Sequence, residues 1–92
     1  MIPVEGRKVI LNDGTVIDDG AAGYADGFLW VWFSGYTIQQ AASLFFDSAK
    51  TSTIVFLYGE MQDEYTGFTT CRSLMCDADG RISVCMTKGE NN

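Results

Sequence analysis

Histidine is missing from this chain altogether. That removes the Ser-His and Cys-His arrangements on which most nucleophilic catalysis is built. Bases are also few, six Lys and Arg against twelve Asp and Glu, for a net charge of −6. Neutralising nucleic-acid phosphates takes clustered Lys or Arg. Here Arg7-Lys8 is the only adjacent pair, so no direct nucleic-acid binding is expected. The three cysteines, Cys71, Cys76 and Cys85, form no Cys-x-x-Cys pair. No zinc site is therefore expected, and free thiols in a cytoplasmic protein are the default, with one open to pairing with another chain. No run reaches the roughly 20 apolar residues of a membrane span, and Met1–Glu5 lacks the charged start and apolar core of a secretory signal. The glycines at 20, 23 and 27 match neither the Gly-x-Gly-x-x-Gly nor the Gly-Lys-Thr order of a phosphate loop. Asp77-x-Asp79-Gly80 echoes the start of a calcium loop, but the closing acid is replaced by Lys88. Paired carboxylates can act as acid and base, but they need a cleft, for which 92 residues leave little room. The expectation is a non-enzymatic protein with no cofactor and no metal.

What the chain does have is apolar content, 47% of its residues, which argues against disorder and for one domain over 1–92, with 88–92 as a frayed polar tail. The most apolar stretch is Gly27-Phe28-Leu29-Trp30-Val31-Trp32-Phe33. A half-buried strand alternates apolar with polar residues, so a run apolar on both faces reads as a central strand covered on both sides. On that reading, burial of Trp30 or Trp32 contributes about 2–3 kcal/mol each. Thr51–Tyr58 has the same character in its middle and is expected beside the first strand, inside the same sheet. Asp13-Gly14 between Arg7–Leu11 and Thr15–Asp18 signals a hairpin. A two-residue loop would pair Ile10 with Ile17, and a three-residue loop would set Lys8 opposite Asp18; the sequence leaves both open.

Asp19–Gly23 reads as a loop of small residues. Thr37 and Gln40 have the spacing of a capping box, followed by Ile38, Ala41, Ala42 and Phe45 on one helical face, with Phe46 as a candidate for the helix–sheet seam. Gly59–Glu64 reads as an acidic turn, and Tyr65–Cys76 as one long strand with Gly67 a candidate bulge. A final hairpin turns through Ala78-Asp79-Gly80, placing Leu74 opposite Val84, Cys76 opposite Ile82 and Arg72 opposite Met86. The expected fold is α+β: one small, mainly antiparallel β-sheet of five to six strands, with hairpins 7–18 and 68–87 and central strands 28–33 and 52–58, packed on one short helix 38–46.

The candidate binding surface is the acidic run Glu60, Asp63 and Glu64 flanked by Tyr58 and Tyr65, in which carboxylates meet Arg or Lys and tyrosines supply rigid contact area. Asp18 and Asp19 would widen it if they lie nearby. The pattern Val9-Ile10-Leu11-x-Asp13-Gly14-Thr15, Leu44-Phe45-x-Asp47, Tyr65-x-Gly67-Phe68-Thr69 and Asp79-Gly80-x-Ile82-Ser83-Val84 resembles small proteins encoded by bacteriophages and prophages of gut bacteria. That resemblance implies a phage protein working in the bacterial cytoplasm or in the virion. Two functions follow as expectations, the first as the leading one and the second as its alternative. One is an acidic inhibitor of anti-CRISPR type, which blocks the basic surface of a host protein such as a CRISPR-associated nuclease. The other is a virion assembly or tail-associated structural protein, adding to an oligomer through strand edges or aromatics.

Overall fold

A computed structural model describes residues 4–89. The fold is α+β, with eight strands, one short helix and a helical turn. In chain order these are β1 (Val4–Leu11), β2 (Val16–Asp18), β3 (Ala21–Ala25), β4 (Phe28–Phe33), α1 (Ile38–Phe45), α2 (Ser48–Thr51), β5 (Thr53–Gly59), β6 (Met61–Thr66), β7 (Thr70–Cys76) and β8 (Ile82–Thr87). They form two four-stranded antiparallel sheets rather than one sheet of five or six strands: β2-β1-β5-β6 and β3-β4-β8-β7. The two apolar strands β4 and β5 are each interior to a sheet, but to different sheets, so they are not neighbours. Val9, Leu11, Ile17, Ile54 and Phe56 of the first sheet join Leu29, Val31, Phe33, Ile82, Val84 and Met86 of the second in one core. A single sheet has only one face per helix to bury; two sheets facing each other bury more from a short chain.

The chain passes between sheets at two places that the sequence reading took for other things. After β2, Asp19 adopts a left-handed backbone (φ 59°). Gly20 then passes so close to the first sheet that a β-carbon there would meet Val9 Cγ2 at 3.0 Å. The small residues beyond it are the edge strand β3, paired along its whole length with β4. They are not a loop. Likewise Tyr65–Cys76 is not one strand. It breaks after Thr66, where Gly67 (φ 83°) and the buried Phe68 carry the chain from β6 to β7. The acidic "turn" shrinks to Gly59-Glu60, because Tyr58 pairs with Met61 and the residues that follow form β6. Gly59 with φ 59° at the first turn position suits a II′ hairpin.

Both hairpins read from sequence are present. The first closes through a three-residue loop, pairing Lys8 with Asp18, Val9 with Ile17 and Ile10 with Val16. The Asp13 carboxylate accepts the Thr15 N–H at 3.0 Å, and the Asn12 N–H and side chain tie this loop to the Lys50 and Ala49 carbonyls of α2 at 2.8 and 3.1 Å. The last hairpin pairs Leu74 with Val84 and Cys76 with Ile82 as expected, but Cys71, not Arg72, stands opposite Met86. A bulge between Cys71 and Ser73 leaves Arg72 as the extra residue.

Helix α1 has its capping box: Thr37 Oγ1 accepts the Gln40 N–H at 3.0 Å and Gln40 Oε1 accepts the Thr37 N–H at 2.9 Å. Its buried residues are Ala41 and Phe45. The helix lies against β7 and β8, and Phe45 stacks on Phe33 with centroids 5.5 Å apart. Phe46 is not at the seam; it is 64% exposed, and Ile38 at the first turn is open as well. Of the polar tail, Lys88 donates to the Thr66 carbonyl at 2.7 Å and the Gly89 N–H to Gly67 at 2.9 Å; Glu90–Asn92 lie outside the described residues.

Candidate functional site

The acidic candidates do not converge. Glu60 is exposed at the β5–β6 turn, and β6 is an edge strand of its sheet. Asp63 stands opposite Phe56 and therefore points to the core side. It accepts a hydrogen bond from the Tyr58 hydroxyl at 3.2 Å. Burial first, and then the Asp63 carboxylate, raise the Tyr58 phenol above its ordinary value. Glu64, opposite Val55, is exposed on the outer face. Tyr65 is half-buried, edge-on to Phe68 at 6.3 Å. Acids on an edge strand, one of them pointing inward, also discourage pairing with another sheet. Asp18 belongs to β2, the opposite edge of the same sheet, and is engaged by Lys8 in an ion pair. That partnership raises the Lys8 ammonium, the hydrogen bond to Asp18 being the main cause. Asp19 lies beyond it, in the crossover to the other sheet.

The broader feature is one that sequence reasoning placed inside. In β4, Leu29, Val31 and Phe33 face the core, so the alternation of side chains turns Phe28, Trp30 and Trp32 outward. The tryptophans are half-buried and Phe28 is 38% exposed. β4 is thus covered on one face rather than two. The register sets these rings in rows across the sheet: Ala21, Trp32, Ser83 and Met75 in one, and Gly23, Trp30, Cys85 and Ser73 in the next. Ala25 pairs with Phe28 and Thr70 with Thr87 beyond them, and the paired positions carry no charge; the exposed Arg72 at the β7 bulge stands beside Cys85. Met75 is 56% exposed. The Trp32 ring lies across Gly23, where a β-carbon would sit 3.7 Å from Cζ3; a residue without a side chain gives the ring its seat. Cys85 is buried between its outward neighbours, and that burial raises its thiol above the ordinary range. On the other sheet the outer row Val16, Ile10, Val55 is likewise open in part. The missed signal was quantitative. A chain of this length cannot cover the second face of two apolar strands that lie in different sheets.

At the Ala21–Trp32 end this face runs into a cleft of ≈ 240 Å³ lined by Arg7, Asp19, Ala21, Trp32, Phe33, Ser34 and Arg81. Among the described residues, no group of three His, Cys, Asp or Glu stands close enough to hold a metal ion, and no helix is long and apolar enough to cross a membrane. All three cysteines are free. Comparison with protein-family models, curated proteins and solved structures finds no match for this chain. The chemistry of the surfaces themselves therefore carries the functional argument.

Proposed function

We propose that this chain is a non-enzymatic phage-encoded binding protein that packs the outer face of the β3-β4-β8-β7 sheet against another protein subunit, as a component of virion or tail assembly. The observation that carries this reading is the row of outward aromatic side chains Phe28, Trp30 and Trp32 on that face, where the bulge residue Arg72 beside Cys85 is the nearest charge. An acidic protein has enough charge to cover such a face, and contiguous exposed aromatic surface of this kind marks protein–protein contact. The resemblance to phage proteins supports the setting. Its site of action is the bacterial cytoplasm during assembly and then the particle. The test is sedimentation of the purified chain across concentration, together with its recovery in phage particles. The reading expects self-association or particle incorporation with little dependence on salt, lost in Trp30→Glu. A chain that stays monomeric, is absent from particles and is unaffected by Trp30→Glu contradicts it.

One observation favours the second reading, an acidic inhibitor of a host nuclease. Glu60 and Glu64 are exposed and have no basic partner among the described residues, at one edge of a chain of net charge −6. Carboxylates presented on a rigid hairpin suit a basic groove that otherwise receives phosphates. That inhibitor would bind one nuclease-type protein, weaken as salt rises, compete with its nucleic acid and lose affinity in Glu60→Ala/Glu64→Ala. Binding unchanged by that double substitution removes the hairpin as the contact.

A further inference from the structure

We propose that the cleft between Arg7, Arg81 and Trp32 binds a small phosphorylated ligand that carries a planar ring, of the nucleoside monophosphate class. The inference concerns a concave site at the end of the sheet and shares only Ala21 and Trp32 with the assembly face; its arginine variants test it apart from the assembly reading. Two of the chain's six bases line this one cleft, with Asp19 as its only carboxylate. A local excess of positive charge in a protein of net charge −6 has to be explained by something other than solubility. Neither guanidinium has an ion-pair partner among the described residues. Both are held on independent, well-anchored backbones. The Arg7 carbonyl accepts the Asp19 N–H at 2.8 Å. Arg81 donates its N–H to Asp77 Oδ1 at 3.0 Å, and its carbonyl accepts the Asp77 N–H at 2.9 Å.

The walls fit the rest of such a ligand. Planar guanidinium forks suit phosphate oxygens, and a phosphate monoester brings close to two negative charges to meet them. Ser34 adds a hydroxyl donor, and the Asp19 carboxylate is an acceptor for a sugar hydroxyl. Trp32 offers an aromatic surface for a base to stack on. Its ring is already seated across Gly23, so little order has to be imposed on binding. The cleft volume of ≈ 240 Å³ lies just below the roughly 300–1,000 Å³ of sites for drug-sized molecules. It therefore takes a small ligand with part of the ring left outside.

The experiment is an NMR titration of the full chain with AMP, ribose 5-phosphate and adenosine, following the Trp32 indole and the Ser34 and Arg81 amides. AMP is expected to give saturating shifts at all three, and adenosine to bind at least about tenfold more weakly, as loss of charge-assisted hydrogen bonds requires. Arg7→Ala and Arg81→Ala should each weaken AMP by about tenfold or more, and Arg81→Lys should restore only part, since an ammonium lacks the fork. Ribose 5-phosphate, lacking the ring, should bind more weakly than AMP and be indifferent to Trp32→Ala. The backbone spectrum of each variant reports its fold in the same experiment. The proposal is overturned if AMP gives no saturating shifts up to about 10 mM, if adenosine binds as well as AMP, or if either arginine variant binds AMP undiminished.

Discussion

Two adjacent phenylalanines should behave in opposite ways. Phe45 is fully buried, stacked on Phe33 at a centroid distance of 5.5 Å, and it is the largest side chain with no exposure. Phe46, the next residue, is 64% exposed and ends the helix. Truncating a buried Phe to Ala costs about 3–5 kcal/mol, the sum of lost transfer energy and the cavity left behind. A chain of this length has a total stability of roughly 5–14 kcal/mol, so Phe45→Ala should remove about a fifth of it or more. With a urea m-value of about 1–3 kcal/mol/M, the midpoint should fall by about 1–5 M. Phe46→Ala should cost no more than about 0.5 kcal/mol, the usual range for exposed sites. Urea denaturation followed by far-ultraviolet circular dichroism measures both. If Phe46→Ala costs as much as Phe45→Ala, or if Phe45→Ala costs less than about 1 kcal/mol, the docking of α1 described above is wrong.

The remaining predictions concern charge, reactivity and turns. The Thr15 amide holds the Asp13 carboxyl below its ordinary value, so its contribution is present above the unfolded pKa and is lost as pH falls through the folded one. Asp13→Ala should therefore destabilise the chain at neutral pH and lose that effect in acid; a difference that grows on acidification contradicts this. The Lys8–Asp18 pair is exposed, and a double-mutant cycle should give a coupling no larger than about 1 kcal/mol that shrinks in salt. Towards an alkylating reagent Cys76, which is exposed, should react first, and Cys85 last, because burial both hides its thiol and keeps it protonated. Mass spectrometry of the partly labelled protein reads that order, and early labelling of Cys85 would refute it. Gly14→Ala should cost about 1 kcal/mol or more in thermal unfolding, because position 14 has φ 92°.

Local signals were legible where one element explains itself. The Asp13-Gly14 turn, the Ala78-Asp79-Gly80 loop, the Thr37–Gln40 capping box and the Leu74–Val84 register each depend on residues close in sequence. The three-residue length of the first loop is open in the sequence and is given by the structure. The division into two sheets was not legible, because it depends on what happens at Gly20 and Gly67, where the chain changes layers without any change in composition. A short polar edge strand such as Met61–Thr66 carries no hydrophobic period strong enough to separate it from a turn. The same gap explains the candidate site. Glu60, Asp63 and Glu64 are adjacent in sequence, but strand alternation sends Asp63 and Glu64 to opposite faces. Arg7 and Arg81, far apart in sequence, meet in one cleft. The aromatic run of β4 was recognised, and what it lacked was a cover for its second face.

The outward placement of Trp30 and Trp32 underlies the two-sheet architecture, the assembly surface and the ring-stacking wall of the cleft. Acrylamide quenching of single-tryptophan variants, Trp30→Phe and Trp32→Phe, measured in dilute monomer, tests it directly. The account predicts that acrylamide quenches both half-buried indoles in the native state, less than in the unfolded chain but well above the level of a core residue. Blue-shifted emission and strong protection of either indole in the monomer, released only by denaturant, would contradict it.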